Sequence, residues 1–287
     1  NSYFKLCINE NKIYLIDKKT GKIHDDFISV QSVKDEGDSY NFAPAGYYKT
    51  LNLKAAKIKT EGKIKSALQL IYEENIKLNI SLTNNSKLLY MDFDFINKKK
   101  NRKLQISFNT GSPVLKTTAE DSMGLAKREH NPNYLLFEQM PVKDKSELKT
   151  NSYPMQRFAE GNGITVFTKG LNEYEIYKNE LKVTLLRSTG IISNPKNKAR
   201  KVPAGPPIEC PDMQEIGKHK IELALGLGLE NNEKYALADN FYGPFESILG
   251  EFKFKNKTYL KSRQNAIFTG IFSISEKTEK PLFTNNE

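Results

Sequence analysis

The feature that most constrains the fold is a long succession of short segments in which apolar and polar residues alternate. Four of them follow one another and are separated by Gly, Asn or Glu-Asn turns: Leu53–Thr60, Lys63–Tyr72, Ile76–Leu82 and Leu88–Phe95. Alternation with a period of two is the pattern of half-buried strands. The short, regular spacing is typical of antiparallel sheets. The sequence therefore predicts an all-β chain.

The same alternation continues on both sides of this block. Residues 1–21 predict a hairpin, and further strands are predicted at Ile28–Val33, Lys103–Phe108, Val114–Thr118 and His219–Leu229. Two more, Gly163–Thr168 and Leu181–Leu186, enclose Gly170–Ile176, and together these three segments predict a β-meander. In contrast, Ala119–Glu129 has the composition of a short helix, although Gly124 in its middle opposes one.

Residues 1–229 are therefore predicted to form one large antiparallel β-sandwich. The character of the sequence changes after residue 229. Asn232–Leu249 predicts a connector with a helical turn, and three short segments predict a small additional β unit that is cut short at Glu287: Phe252–Phe254, Tyr259–Leu260 and Ala266–Ile274. Because the first residue is Asn1 and the opening residues already have a strand pattern, we expect the chain to be a piece of a longer polypeptide with an upstream domain.

Charge and composition disfavour several classes of function. The formal net charge is +10 and the pI is about 9.2, but the lysines are spread along the chain, with clusters only at 98–103 and 196–201. Few arginines and no tryptophan accompany them, so we expect solvated turns and no nucleic-acid surface. No apolar run approaches the roughly 18 residues of a membrane helix. We expect a soluble, cytoplasmic protein without a membrane partner.

Cysteine and histidine spacing argues against a metal site. Cys7 and Cys210 lie about two hundred positions apart, which predicts two reduced, buried thiols. The three histidines are scattered and form neither an HxH nor an HExxH pattern: His24, His130 and His219. We predict no metal ligands in this chain.

Two positions are candidates for a polar binding site. Asp38 and Tyr40 lie in the acidic segment Asp35–Pro44, which has loop composition, but a carboxylate and a phenol are also common partners of sugar hydroxyls. Arg187 follows the apolar segment Leu181–Leu186, so a strand presents its guanidinium at its end. A surface loop and a surface ion pair remain the simpler interpretations of these residues.

Five motifs together resemble the C-terminal β region of family 38 glycoside hydrolases, the α-mannosidases, and most closely the bacterial branch that includes mannosylglycerate hydrolases. The motifs are Asp35–Pro44, Lys100–Phe108, Ala119–Arg128, Tyr153–Phe158 and Leu181–Gly190. They occur in the family's order and span most of residues 1–227. The resemblance implies a supersandwich similar to galactose-mutarotase-like domains.

The resemblance also implies a function for the whole protein. Family members are retaining glycosidases whose nucleophile, acid/base residue and zinc ligands lie in an N-terminal α/β domain, which would precede Asn1. It implies no catalytic residue and no cofactor in this chain, and two partners: its own catalytic domain and a mannose-containing carbohydrate. By motif position Tyr40 and Arg187 match residues that face the substrate cleft, and Asp38 and Arg128 match less closely.

Two other classes of function remain open from the sequence. A stand-alone carbohydrate-binding module is one, although such modules usually stack sugars on exposed aromatic rings and this chain has no tryptophan. A purely structural or interaction domain rich in lysine is the other.

Overall fold

The computed structural model describes residues 1–143 and 147–243. The described residues form eighteen strands and one α-helix. In chain order the strands are β1 (Phe4–Asn9), β2 (Lys12–Asp17), β3 (Ile23–His24), β4 (Ile28–Lys34), β5 (Lys49–Thr50), β6 (Leu53–Thr60), β7 (Lys65–Tyr72), β8 (Lys77–Thr83), β9 (Leu89–Asn97), β10 (Arg102–Asn109), β11 (Lys116–Asp121), β12 (Gly124–Glu129), β13 (Ser152–Pro154), β14 (Phe158–Gly161), β15 (Ile164–Thr168), β16 (Glu173–Tyr177), β17 (Glu180–Ser188) and β18 (Gly217–Leu227).

The strands form three antiparallel sheets. A small sheet contains β1, β2 and β3, a six-stranded sheet has the order β13-β16-β17-β10-β4-β5, and a nine-stranded sheet has the order β12-β11-β14-β15-β18-β9-β8-β7-β6. Every strand pair among the described residues is antiparallel, as in the pairing of Ile106 with Val183 and Val30. The predicted all-β class is confirmed.

The inward faces of the two large sheets form one apolar core. The six-stranded sheet contributes alternate residues of β10 and β17, and the nine-stranded sheet contributes alternate residues of β8, β9, β15 and β18. These core residues are Leu104, Ile106, Phe108, Leu181, Val183, Leu185, Leu78, Ile80, Met91, Phe93, Ile164, Val166, Leu223 and Leu225. Two sheets that bury their apolar faces against each other are the arrangement of a β-sandwich.

Two sequence-based predictions are wrong in this region. The helix expected at Ala119–Glu129 is instead the hairpin of β11 and β12, because Gly124 adopts a φ of 144° and ends a tight turn where a helix would need a negative φ. The expected meander is divided, since β15 belongs to the nine-stranded sheet whereas β16 and β17 pair in the six-stranded one. Alternation predicts a strand but does not specify its neighbour.

The chain divides into two compact units, Asn1–Leu229 and Glu230–Glu287. In the second unit the expected helical turn is the twelve-residue helix α1 (Asn231–Tyr242), which begins with a capping box between Glu230 and Glu233. The small β unit predicted after residue 250 lies outside the described residues. No helix in the described part of the chain is long and apolar enough to cross a membrane.

Two isoleucines allow the core assignment to be tested. Ile106 of β10 has 0% of its surface exposed, and Ile58 of the edge strand β6 has 71% exposed. We expect Ile106→Ala to lower the free energy of unfolding by about 2–5 kcal/mol through lost burial and a cavity. Ile58→Ala should change it by less than about 0.5 kcal/mol. Urea unfolding of both variants measures the difference, and equal effects would contradict the core described above.

Candidate functional site

The outer face of the six-stranded sheet is polar and yet buried. On β10 the residues that alternate with the core positions are Lys103, Gln105 and Ser107, and all three are buried. The segment 35–48 covers this face together with residues 134–137, 150 and 151, as the contact between the rings of Tyr47 and Phe137 illustrates. Polar side chains removed from water must find partners within the protein.

Lys103 is the centre of this polar face. Its Nζ is 2.7 Å from Glu173 Oε1 and 2.9 Å from Glu175 Oε2, and it lies 4.5 Å from the centre of the Phe42 ring. Burial by itself lowers the pKa of an ammonium group, but the two carboxylates outweigh it and raise the pKa of Lys103. Burial likewise opposes ionisation of Glu175, yet Lys103 and Lys182 lower its pKa to about 2. The cluster is therefore charged at neutral pH.

Arg187 lies near the end of β17, an interior strand of this sheet. Its Nε donates a hydrogen bond to Asp35 Oδ2 at 2.8 Å, and its Nη2 donates to the backbone carbonyl of Asp38 at 2.6 Å. Burial raises the pKa of Asp35, and Arg187 opposes that rise. Its Nη1 makes no hydrogen bond within the described residues. The guanidinium is therefore fixed by Asp35 and by the carbonyl of Asp38, while Nη1 can still donate to another group.

Asp38 is fully buried and bound to Arg200. Both of its carboxylate oxygens accept hydrogen bonds from the Arg200 guanidinium, and the backbone amides of Tyr40, Asn41 and Asn194 donate to them as well. Although burial opposes ionisation, these hydrogen bonds lower the pKa of Asp38 to about 2. Its carboxylate is fully used within the protein, so Asp38 positions the loop and has no oxygen free for a ligand.

Tyr40 and Arg187 line one cleft of about 310 Å³, which we call the Arg187 cleft. Its other lining residues include Phe42, Ser152, Tyr153, Asn172 and Glu173. Tyr40 has 55% of its surface exposed, and its hydroxyl makes no hydrogen bond within the described residues. Both residues thus line the same cleft, and each has a donor that no described residue accepts.

Arg128 does not line the Arg187 cleft. Its guanidinium lies 5.7 Å from the ring centre of Tyr153, which does line the cleft, and its Nη1 donates to the Tyr174 hydroxyl at 3.2 Å. The structure therefore places Arg128 behind the cleft wall. There it contacts the aromatic residues between the two large sheets.

Four residues of this polar face could not be singled out from the sequence. Arg200 belongs to a basic cluster, and Lys103, Glu173 and Glu175 occupy polar positions of ordinary strands. A polar residue at every second position of a strand normally marks a solvent face. The sequence feature that could have indicated a covered polar face was the length of the segments 131–151 and 193–211, because long irregular segments often pack over a sheet.

No metal site is found among residues 1–143 and 147–243, where no three His, Cys, Asp or Glu side chains lie close enough to share an ion. Cys7 and Cys210 are both free thiols. They are half-buried, which is less burial than the sequence analysis expected of these two thiols.

Comparisons with known proteins concern the whole of this region. Residues 1–191 match the family described as "Glycosyl hydrolases family 38 C-terminal domain". The fold is similar to an α-mannosidase from Enterococcus faecalis V583, with a TM-score of 0.66 and 19% identity over 84% of this chain and 30% of that one. It is also similar to a family 38 glycosyl hydrolase from Enterococcus faecalis, with a TM-score of 0.66 and 18% identity over 84% of this chain and 31% of that one.

The chain thus spans about a third of the length of these two structures. At this level of identity they show the fold alone. No curated protein matches the sequence.

The Asp38–Arg200 pair predicts how stability depends on pH. The pKa of Asp38 is about 2 in the folded chain and 3.8 without the fold. Its contribution to stability, about 2 kcal/mol, is therefore present above pH 4 and is lost as the pH falls toward 2. We expect Asp38→Asn to lower the free energy of unfolding by about 3–5 kcal/mol at pH 7, since Arg200 is left buried without its counter-charge.

Urea unfolding of the wild-type chain and of Asp38→Asn at pH 7, 4 and 3 measures this effect. The difference between the two proteins should shrink at pH 3. Asp121→Asn is the control. Asp121 is half-exposed and lies 3.9 Å from Arg128, and such an exposed, loose ion pair contributes less than about 1 kcal/mol to stability. Equal effects of the two substitutions would contradict the assignment of Asp38.

Proposed function

Since the chain belongs to the C-terminal domain family of family 38 glycosyl hydrolases, we propose that it is the accessory β domain of a retaining α-mannosidase and completes one wall of that enzyme's substrate cleft. The catalytic domain and a mannose-containing carbohydrate are its proposed partners. The bacterial branch that includes mannosylglycerate hydrolases is the proposed subgroup.

The observation that carries this proposal is the Arg187 cleft. Tyr40 and Arg187 come from segments about 150 positions apart and face the same space. Arg187 Nη1 and the Tyr40 hydroxyl make no hydrogen bond within the described residues. Family membership favours this function over a stand-alone carbohydrate-binding module and over a purely structural domain.

In the proposed mechanism the domain supplies fixed donors and no reacting group. Arg187 is held by Asp35 and by the carbonyl of Asp38, so its Nη1 needs little reorganisation to donate to a partner. We propose that Nη1 and the Tyr40 hydroxyl orient a substrate hydroxyl or a carboxylate of the catalytic domain. A retaining glycosidase uses two carboxylates about 5 Å apart, one as nucleophile and one as acid/base. We assign both to the catalytic domain.

Zinc, if the full-length enzyme contains it, would be held by that catalytic domain. The described residues of this chain offer no set of three ligands. No step of the proposed mechanism passes through a metal bound here. A cytoplasmic location is likewise a proposal, supported by the two free thiols, which are typical of a reducing compartment.

Tyr40 and Arg187 provide a kinetic test in the full-length enzyme. We expect Arg187→Lys to lower kcat/KM about ten- to hundredfold, because a desolvated charge-assisted hydrogen bond contributes about 1.5–3 kcal/mol. Tyr40→Phe should lower it about three- to tenfold, since a neutral hydrogen bond contributes less. Lysine is preferred to alanine at position 187 because it leaves Asp35 with a cation.

Melting temperatures separate catalysis from folding in this experiment. Tyr40→Phe removes a hydroxyl that bonds to no described residue of this chain, so its melting temperature should stay within a few degrees of the wild-type value. Tyr242→Phe, at a half-exposed tyrosine of α1, is the control and should keep the full kcat/KM. Wild-type efficiency in both cleft variants would leave the domain with a structural function only.

The second test concerns the chain by itself. We expect residues 1–287 to show no hydrolysis of an aryl α-mannoside, with or without added zinc, because the proposed nucleophile and acid/base residue belong to the catalytic domain. Turnover by the purified chain, measured by release of the aryl group, would place the reacting carboxylates within residues 1–287.

A further inference from the structure

A second, smaller pocket lies on the same polar face, beside the Arg187 cleft and separated from it by Phe42, which lines both. We call it the Tyr47 pocket. Its volume is about 120 Å³. Residues of β4, β16 and β17 line it together with the segments 42–48 and 134–137. The function proposed above for Tyr40 and Arg187 in the substrate cleft does not involve this pocket.

The wall of the Tyr47 pocket contains a buried acceptor without a donor. Gln31 of β4 has 6% of its surface exposed, and its Nε2 donates to Glu180 Oε1 at 2.8 Å. Its Oε1 is buried and has no hydrogen-bond partner among the described residues. An unpaired buried acceptor costs about 1–3 kcal/mol. A ligand that donates a hydrogen bond to this atom would remove that cost.

The same wall contains a cation with unused donors. The Lys182 Nζ is 3.1 Å from Glu180 Oε2, its one ion pair within 4 Å among the described residues, and it also lowers the pKa of Glu175 through its charge. It lies 4.5 Å from the ring centre of Tyr48 and 5.1 Å from that of Tyr177. An ammonium group has three donors, so Lys182 can also donate to an oxygen in the pocket.

Aromatic rings complete the pocket at its mouth. Tyr47 has 66% of its surface exposed and meets Phe137 edge-to-face, with ring centres 4.5 Å apart. The Tyr47 hydroxyl donates to Glu138 Oε1 at 2.9 Å, which orients the ring. An apolar rim above a polar floor is typical of small-molecule sites.

The charges decide which class of ligand fits. Glu175 and Glu180 also line the pocket and repel an anion, and Lys182 already occupies the position over the tyrosine rings that a cationic ligand would take. Hydroxyl groups suit this lining, because a hydroxyl can donate to an acceptor such as Gln31 Oε1 and can accept from an ammonium group such as that of Lys182. We propose that the Tyr47 pocket binds a neutral polyol no larger than one sugar ring, with its hydroxyls on Gln31 and Lys182 and its C–H face on the aromatic rim.

Saturation-transfer NMR on the chain of residues 1–287 tests this proposal with three probes: methyl α-mannoside, methyl α-glucoside and glycerol. We expect millimolar binding of at least one of them. Binding of the glycosides alone would identify a sugar ring as the ligand, and equal binding of glycerol would identify a smaller polyol. No saturation transfer from any of the three at high millimolar concentration would overturn the proposal.

The chain offers a matched control for the acceptor. Gln105 is paired with Gln31 across β10 and β4, donates from Nε2 to a glutamate, and also has a buried, unpartnered Oε1, but it does not line the pocket. We expect Gln31→Met to weaken binding about five- to tenfold. Gln105→Met should leave it unchanged. Equal losses in both variants would indicate a general disturbance of the polar face and would refute the site.

Tyr47→Ala keeps the test decisive if Gln31→Met fails to fold. Tyr47 is mostly exposed and loses only its contacts with Phe137 and Glu138, so Tyr47→Ala should fold with a slightly lower melting temperature, whereas binding should weaken about fivefold with the loss of the aromatic rim. Wild-type affinity in Tyr47→Ala would contradict the proposal. Because these measurements involve no catalysis, their outcome is independent of the kinetic test of Tyr40 and Arg187.

Discussion

The buried ion pair between Asp38 and Arg200 is the interaction on which the polar face of this domain depends. It joins the loop after β4 to the irregular segment after β17, two parts of the chain that are 162 positions apart. A buried pair often stabilises a protein no more than two well-packed apolar residues would, but the removal of one partner is costly. The pair therefore restricts the loop to one position, and that position places Tyr40 beside Arg187.

Charged side chains also pair with one another elsewhere on the polar face of the six-stranded sheet. Lys103 is buried under the covering segments, and the partly buried carboxylates of Glu173 and Glu175 compensate its charge with short ion pairs. Apolar residues at these positions would stabilise the fold at least as well as the ion pairs do. Stability alone therefore does not explain why these residues are charged. Preorganised polar groups are what recognition of hydroxyl-rich ligands requires, and both clefts open on this face.

The two clefts differ in what they offer. The Arg187 cleft is the larger, and it is lined by Tyr40 and Arg187, whose hydroxyl and Nη1 bond to no described residue. The Tyr47 pocket is smaller and has both a free acceptor in Gln31 and a free donor in Lys182. Phe42 lies between them and contacts the cations of both Lys103 and Arg187. One covering loop thus shapes both clefts.

The sequence by itself determined the all-β class, most strand positions and the family, because alternation and turn residues are local properties and motifs keep their order. It also singled out Tyr40 and Arg187, which line one cleft. Only the tertiary structure decided that β15 and β16 lie in different sheets, and that residues 119–129 form a hairpin. The tertiary structure alone showed that both carboxylate oxygens of Asp38 accept hydrogen bonds from Arg200. Strand pairing and burial of charge depend on which distant segments meet, and a period of two carries no information about that.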